Sequence, residues 1–436
     1  MDVLKKVPVR EQDPKVRATN FDEVCLGYNK EEAMEEAERC LNCKKPLCRP
    51  GCPVNTPIPE MISLFLAGEI QKAGKIVFEN NPLSVICSLV CNHGNQCQGH
   101  CVRGIKGEPV EISTVEHFVS SYYIDNVELE KAEPNGIKVA VVGAGPAGIT
   151  IAIKMAQLGY DVTMFESKSE IGGVLRYGIP DFRLPKAIVD KYEKILRKLG
   201  VKIKFNITIG KAFGIEELFR DGFKAISIGT GVNWPVTLNI KGETLGHVHY
   251  GVHFLKNPEV YELGDKMIVI GAGNVAMDVA RTALRRGVSD VKVVVRSDRY
   301  TASEEEKEYA EIEGAEFIFN KAPVEITGEG VMFADTVCDE NHKVLHTSDK
   351  PELMKADTVM ICVSQRPSNL ILTQTKGLEI NERGLAKIQP DGSTTREGLF
   401  ASGDVVRGAK TVVEAVETSK RVAYAMDEYL KNLPKD

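Results

Sequence analysis

Eight of the chain's eleven cysteines lie between Cys40 and Cys101, in two rows. The first is Cys40-x2-Cys43-x4-Cys48-x3-Cys52-Pro53, and the second is Cys87-x3-Cys91-x5-Cys97-x3-Cys101. Loops this short can wrap several thiolates around one small metal centre while backbone N–H groups turn toward the sulfurs. Two kinds of centre fit such a donor set, structural zinc and iron–sulfur clusters. No apolar signal core precedes the rows, so the expected compartment is the reducing cytoplasm, where clustered thiols bind metal more often than they form disulfides.

Three features favour iron–sulfur over zinc. The spacings are not the paired x2 of zinc ribbons. Cys52-Pro53 repeats the ending of the bacterial ferredoxin run, whose fourth cysteine serves the other cluster. A dinucleotide fingerprint follows directly, and a redox partner gives clusters a purpose. Two [4Fe–4S] clusters are therefore expected. From the residues alone, one row per cluster and a crossing between rows both remain open.

That fingerprint spans Lys138 to Glu166. Val139 to Val142 reads as a strand, and Gly143, Gly145 and Gly148 form G-x-G-x-x-G at the start of a helix ended by Gly159. Val162 to Phe165 reads as the next strand, closed by Glu166. The glycines permit a tight turn, close approach of backbone to a pyrophosphate, and helix–strand packing, while an acidic side chain here can accept from ribose hydroxyls. The helix N-terminus adds free N–H groups and a positive dipole end. A second fingerprint, Gly271-x-Gly273-x-x-Ala276, begins 128 residues after the first and ends its second strand not on an acid but near Arg296 and Arg299. Guanidinium groups there suit a 2′-phosphate, hence NADP(H) rather than NAD(H).

The intervening elements must position these groups. Asn29 and Glu32 form a capping box ahead of a helix that delivers Cys40. Residues 58–80 read as two short core helices and 112–123 as a third. Pro134-Asn135-Gly136 breaks the chain. Gly172-Gly173 and Gly229-Thr230-Gly231 are further close-approach turns, and Arg176 could meet a phosphate or ring carbonyl. Residues 302–313 read as a solvated charged helix and 317–349 as a small β meander. Leu399 to Val405 (LFASGDV) reads as a strand running into Gly403-Asp404, followed by a helix over 411–430. The 436 residues allow two or three domains. A net charge of −6 without long basic runs weighs against nucleic acid, and no apolar run of membrane-spanning length occurs.

Taken together, RCLNCKKPLCRPGCPVNTPIPEMI (39–62), the second cysteine row, VAVVGAGPAG (139–148), GGVLRYGIPDFRLPK (172–186), VIGAGNVAMDVARTALRRG (269–287) and LFASGDV (399–405) resemble the small-subunit family of NADPH-dependent glutamate synthase. Its relatives include the large subunit of NADH-dependent reduced ferredoxin:NADP⁺ oxidoreductase and the N-terminal half of dihydropyrimidine dehydrogenase. The resemblance covers about residues 20 to 430. It implies an α/β protein with an N-terminal α-helical iron–sulfur domain followed by two Rossmann-like domains, the NADP domain inserted in the FAD domain. The expected spans are 1–133 for the clusters, 134–262 and 366–436 for FAD, and 263–365 for NAD(P)H.

The resemblance further implies FAD on Gly143, Gly145, Ala147, Gly148, Glu166, Gly173, Leu175, Arg176, Gly231, Gly403 and Asp404. NADP(H) falls on Gly271, Gly273, Asn274, Val275, Arg296 and Arg299. It implies crossed ligation, with one cluster on Cys40, Cys43, Cys48 and Cys101, the other on Cys52, Cys91, Cys97 and Glu116, and Cys87 a bystander. The implied activity is hydride transfer between NADPH and FAD, with single electrons exchanged through the clusters with a larger partner subunit or a ferredoxin-type partner. No catalytic acid–base pair is required, and Cys338 and Cys362 stand alone as core thiols. The chain departs from the family pattern in separating its two arginines as Arg296-Ser297-Asp298-Arg299, and in placing Trp234 beside the Gly231 turn.

Overall fold

The structure is a computed structural model that describes residues 3–211 and 213–434. Among residues 3–130 the regular elements are helices, apart from a short antiparallel pairing of Arg10–Glu11 with Cys25–Gly27. Asn29 caps the helix Lys30–Glu38 through a full capping box with Glu32. The helices Ile58–Leu66, Ile70–Asn80 and Ile112–Asp125 bury Met61, Ile62, Phe65, Val77, Val115 and Val119 in a common core, against which Cys40, Cys48, Cys52 and Cys101 pack.

Two five-stranded parallel sheets follow. The first runs in the order Leu399–Ala401, Phe223–Ile228, Lys138–Val142, Asp161–Phe165, Lys202–Lys204. The strand Lys138–Val142 is buried beyond its first residue, as a central parallel strand covered by helices must be. Pro146 occupies the first turn of the helix Pro146–Gln157, where its missing N–H costs nothing. That helix packs against the C-terminal helix Val412–Lys431, and Tyr160 donates to Asp427 at 2.8 Å.

The second sheet runs Glu316–Ile318, Asp290–Val294, Lys266–Ile270, Thr358–Ile361, Val248–Tyr250. One face is covered by the helix Asn274–Arg285. On the other, the antiparallel strands Lys321–Thr327, Gly330–Cys338 and Glu352–Lys355 pack Ile326, Val331 and Phe333 onto Ile268 and Ile361. This is the expected meander, extended past residue 349. The first sheet takes strands from both sides of the second, so the nucleotide units are nested. The chain leaves and returns side by side, Trp234–Pro235 pairing antiparallel with Gln365–Arg366. The outward crossing thus precedes the expected boundary at 262/263, because Val248–Tyr250 already belongs to the second sheet.

The helix Glu304–Glu313 departs from its expected solvated role. Glu306 and Glu313 are buried and face Arg281 and Arg285 of the helix Asn274–Arg285. Arg281 donates to Glu313 at 2.9 and 3.0 Å and to Glu306 at 2.7 Å, while Arg285 donates to Glu313 at 2.5 and 3.1 Å. Arg183, from the first nucleotide unit, grips Asp278 at 2.8 and 2.9 Å and lies 2.6 Å from Glu306. Arg17, from the N-terminal segment, reaches Glu313 at 3.1 Å and Glu11 at 3.0 Å. The Phe182 ring lies 3.9 Å from the Arg285 guanidinium and 4.7 Å from that of Arg281, and the Tyr309 ring 4.6 Å from that of Arg17. Opposite charges in bidentate geometry offset each other's desolvation, which neither set could tolerate alone. Glu313→Ala leaves the buried Arg285 guanidinium without a carboxylate and takes one of two partners from Arg281 and Arg17, so it lowers stability by about 3–5 kcal/mol, read as a lower urea midpoint; an unchanged midpoint refutes the accounting.

Candidate functional site

The first glycine turn is built by close approach. Gly143 has φ +101°, and a Cβ on it would sit 2.7 Å from the Gly229 carbonyl oxygen; one on Gly148 would sit 1.8 Å from that of Gly143. A Cβ on Gly173, at φ +54°, would lie 2.9 Å from the Gly145 Cα, and one on Gly403 would lie 3.0 Å from the Ala147 Cβ. The Gly172 N–H donates to the Ala144 carbonyl at 2.7 Å. Four loops distant in sequence, at 143–148, 172–173, 229–231 and 403–404, therefore meet at one helix N-terminus. The Thr230 hydroxyl is buried there with no hydrogen-bond partner. A cleft of backbone N–H groups and a positive helix end with one unmet hydroxyl fits a dinucleotide pyrophosphate.

The side chains differ in part from expectation. Glu166 is buried, and its carboxylate already accepts from the Ala144 N–H at 2.7 Å, the Lys168 N–H at 2.9 Å and the Ser167 hydroxyl at 3.1 Å. It clamps the glycine turn and keeps about one further acceptor site for a ribose hydroxyl. Arg176 does not project freely; it donates to the Ile171 carbonyl at 2.9 Å and pairs with Asp190 and Glu170. The Leu175 side chain is in the core, leaving only its backbone for a ligand. Burial pushes Asp404 up to about 7, against an opposing hydrogen bond from the Lys410 N–H.

The second turn repeats the geometry. Gly271 has φ +146°, and a Cβ would lie 2.4 Å from the Cys362 carbonyl oxygen. Residues 301–303 close over it, Thr301 and Ala302 donating to the Ala272 carbonyl at 2.8 Å and Ser303 to the Asn274 side chain at 2.9 Å. Val275 packs against the core. Arg296 and Arg299 are exposed, and neither guanidinium has a partner among the described residues. Asp298 between them is occupied by His342 at 2.9 Å.

The thiols fall into two groups that cut across the rows. Cys40, Cys43, Cys48 and Cys101 line one cavity with Ile58 and Ile62. They surround a space rather than a point: among the described residues, no three His, Cys, Asp or Glu side chains could hold a single metal ion. Burial, then the neighbouring Cys101, Cys40 and Cys43, push Cys48 up to about 11. Cys52, Cys91 and Cys97 each feel the Glu116 carboxylate. Cys87 is buried beside Cys91 in the core shared with the first nucleotide unit. Burial alone pushes Glu116 up to about 8. Burial raises the proton affinity of Cys40, Cys48, Cys52, Cys97 and Glu116, and a multiply charged metal centre would offset the cost of deprotonating such crowded donors.

The buried arginine–carboxylate junction escaped sequence reading. Its signals were present, with Arg281 and Arg285 four apart and Glu306 and Glu313 seven apart. These spacings put like charges on one helical face, and only the facing helices show that they are paired.

Fold and cleft together define a flavoprotein oxidoreductase class with two nucleotide units and an appended cluster domain. Residues 137–419 match the family pyridine nucleotide-disulphide oxidoreductase, and residues 17–127 match dihydropyrimidine dehydrogenase domain II, 4Fe-4S cluster. The chain is 31% identical to the NADPH glutamate synthase small chain of Halomonas elongata, over 97% of each chain. It is 32% identical to the NAD-dependent dihydropyrimidine dehydrogenase subunit PreT of Escherichia coli K12, over 94% of this chain and 97% of that one. Among solved structures, Mycobacterium tuberculosis FprA in complex with NADPH superposes with a TM-score of 0.58 at 20% identity, over 68% of this chain and 85% of that one. The chain belongs to the pyridine nucleotide-disulphide oxidoreductase family, in the group of the glutamate synthase small chain. It is an FAD- and 4Fe–4S-dependent oxidoreductase of that type. Gly173→Ala forces the 145 and 173 loops apart, and the protein is expected to purify with less than about a tenth of the flavin absorbance of wild type; full flavin content would contradict the close approach.

Proposed function

We propose that this protein exchanges electrons between NADPH and a larger partner subunit, as the glutamate synthase small chain's name implies for that relative. The observation that carries the reading is continuity of packing. Cys52, Leu89, Val90 and Cys91 pack against the same core as Val139, Leu175 and Tyr192 of the first nucleotide unit. Cys52 also packs against the helical domain's own core, so the second thiol group lies against the flavin unit and the first lies farther out.

The turns at Gly143, Gly145, Ala147, Gly148, Gly173, Gly231, Gly403 and Asp404, with Glu166 behind them, hold FAD by backbone approach. Gly271, Gly273, Asn274 and Val275 hold the pyridine nucleotide, and the unpaired Arg296 and Arg299 take its 2′-phosphate. Two [4Fe–4S] clusters sit on Cys40, Cys43, Cys48 and Cys101, and on Cys52, Cys91, Cys97 and Glu116. Glu116 is buried on the helix after the second row and interacts with all three cysteines of its set, whereas Cys87, the strongest neighbour of Cys91, interacts with that one of the three. A bound flavin converts between two-electron hydride chemistry and single-electron transfer. The chain's own contribution is to align the two nucleotide clefts and exclude water between them, through the Arg183–Asp278 and Trp234–Arg366 connections.

Protein purified without oxygen should show flavin bands over a broad iron–sulfur shoulder, bleached by NADPH. A colourless protein would sink the reading. NADH should bleach it more slowly, and Arg296→Ala with Arg299→Ala should raise the KM for NADPH about tenfold or more while sparing NADH. For the ligand set, Cys87→Ser keeps full iron content, whereas Glu116→Ala loses or perturbs about half of the iron–sulfur signal. Loss of a cluster in Cys87→Ser reverses the assignment.

A further inference from the structure

The two arginines assigned to the 2′-phosphate flank an acid. Asp298 lies between Arg296 and Arg299, yet among the described residues neither guanidinium pairs with its carboxylate. The Asp298 Oδ1 instead lies 2.9 Å from the His342 Nδ1. A carboxylate can only accept, so the imidazole donates there. His342 stands at the tip of the hairpin that joins Gly330–Cys338 to Val344–Thr347.

The hairpin presents this side chain at a cost to its backbone. His342 has φ +62°, a left-handed conformation uncommon outside glycine. The turn itself is closed by Asp339. Its side chain accepts from the Asn341 N–H at 2.9 Å and the Lys343 N–H at 2.8 Å, and its carbonyl accepts from the His342 N–H at 2.9 Å. None of these bonds uses the imidazole, so the turn alone would be better served by glycine. The same meander fixes the arginine loop. The Thr336 hydroxyl donates to the Arg296 carbonyl at 2.6 Å, and the Asn320 N–H donates to the Ser297 carbonyl at 3.2 Å. Loop and hairpin are thus held on one sheet, and the imidazole spans the gap between them.

A free carboxylate in this loop would oppose a phosphate in two ways: it would compete for the guanidinium groups and repel the incoming charge. We infer that His342 sets the nucleotide specificity of the second cleft: by engaging Asp298 it keeps Arg296 and Arg299 free for the 2′-phosphate, which favours NADP(H) over NAD(H). The inference rests on the proposed 2′-phosphate role of the two arginines. His342 acts through Asp298, as a positioning residue.

The test compares binding of 2′,5′-ADP, which carries the extra phosphate, with that of 5′-AMP, which lacks it, by calorimetric titration of the purified holoprotein. His342→Gly removes the imidazole and suits the turn's left-handed backbone. It should weaken 2′,5′-ADP binding about three- to fivefold, the span open to an exposed ion pair, and leave 5′-AMP unchanged. Adding Asp298→Asn to His342→Gly should restore wild-type affinity for 2′,5′-ADP, which a merely structural role of the turn would not do. Unchanged 2′,5′-ADP binding in His342→Gly, an equal loss for 5′-AMP, or a double variant that stays weak overturns the proposal. If wild type binds 2′,5′-ADP no more tightly than 5′-AMP, and Arg296→Ala with Arg299→Ala binds it no more weakly, the arginine assignment itself falls, so the two failures are told apart.

Discussion

Four guanidinium groups, those of Arg17, Arg183, Arg281 and Arg285, meet the carboxylates of Glu11, Asp278, Glu306 and Glu313 where three parts of the chain converge. Arg17 comes from the N-terminal segment, Arg183 from the first nucleotide unit, and the others from the second. Charges this deep are tolerable only in one another's company. The junction therefore links the placement of each part to that of the other two. Phe182 stacks on Arg281 and Arg285, and Tyr309 on Arg17 and Arg281, and their ring faces add attraction for the cations. The two nucleotide units are also joined by the pairing of Trp234–Pro235 with Gln365–Arg366, and the buried junction adds a side-chain link between them.

Packing carries the same order into the cluster domain. Lys154 donates to the Glu79 carbonyl at 2.6 Å and Lys420 to Asn80 at 2.8 Å, joining both major helices of the flavin unit to the end of the helix Ile70–Asn80. Cys52 packs against the cores on both sides. Cys91 packs against the flavin unit's core, and Cys40, Cys48 and Cys101 pack in the core of the helical domain. Among the described residues, no helix is long and apolar enough to cross a membrane.

Several elements were legible because their signals are local. Gly143, Gly148 and Gly271 occupy positions that a side chain would block, so their spacing reports the turns directly. The capping box at Asn29 and Glu32 needs only three residues of sequence. Other expectations failed where a distant partner decides. The charge pattern of 304–313 is compatible with solvent until Arg281 and Arg285 are brought opposite. Arg176 is positioned for a ligand until Asp190, one turn into the next helix, claims it. Val248–Tyr250 is too short to assign to a sheet before Thr358–Ile361 is seen beside it.

The sequence by itself determined the two nucleotide turns and the thiol-rich helical domain. Each depends on backbone conformations or donor types that few residues can supply. Only the tertiary structure decided that Cys40, Cys43, Cys48 and Cys101 line one cavity, that Glu166 clamps its own turn, and that the charged helix is half-buried against Arg281 and Arg285. Those outcomes depend on distances between residues far apart in the chain, and on desolvation, which raises or lowers the cost of a charge according to what the fold places next to it.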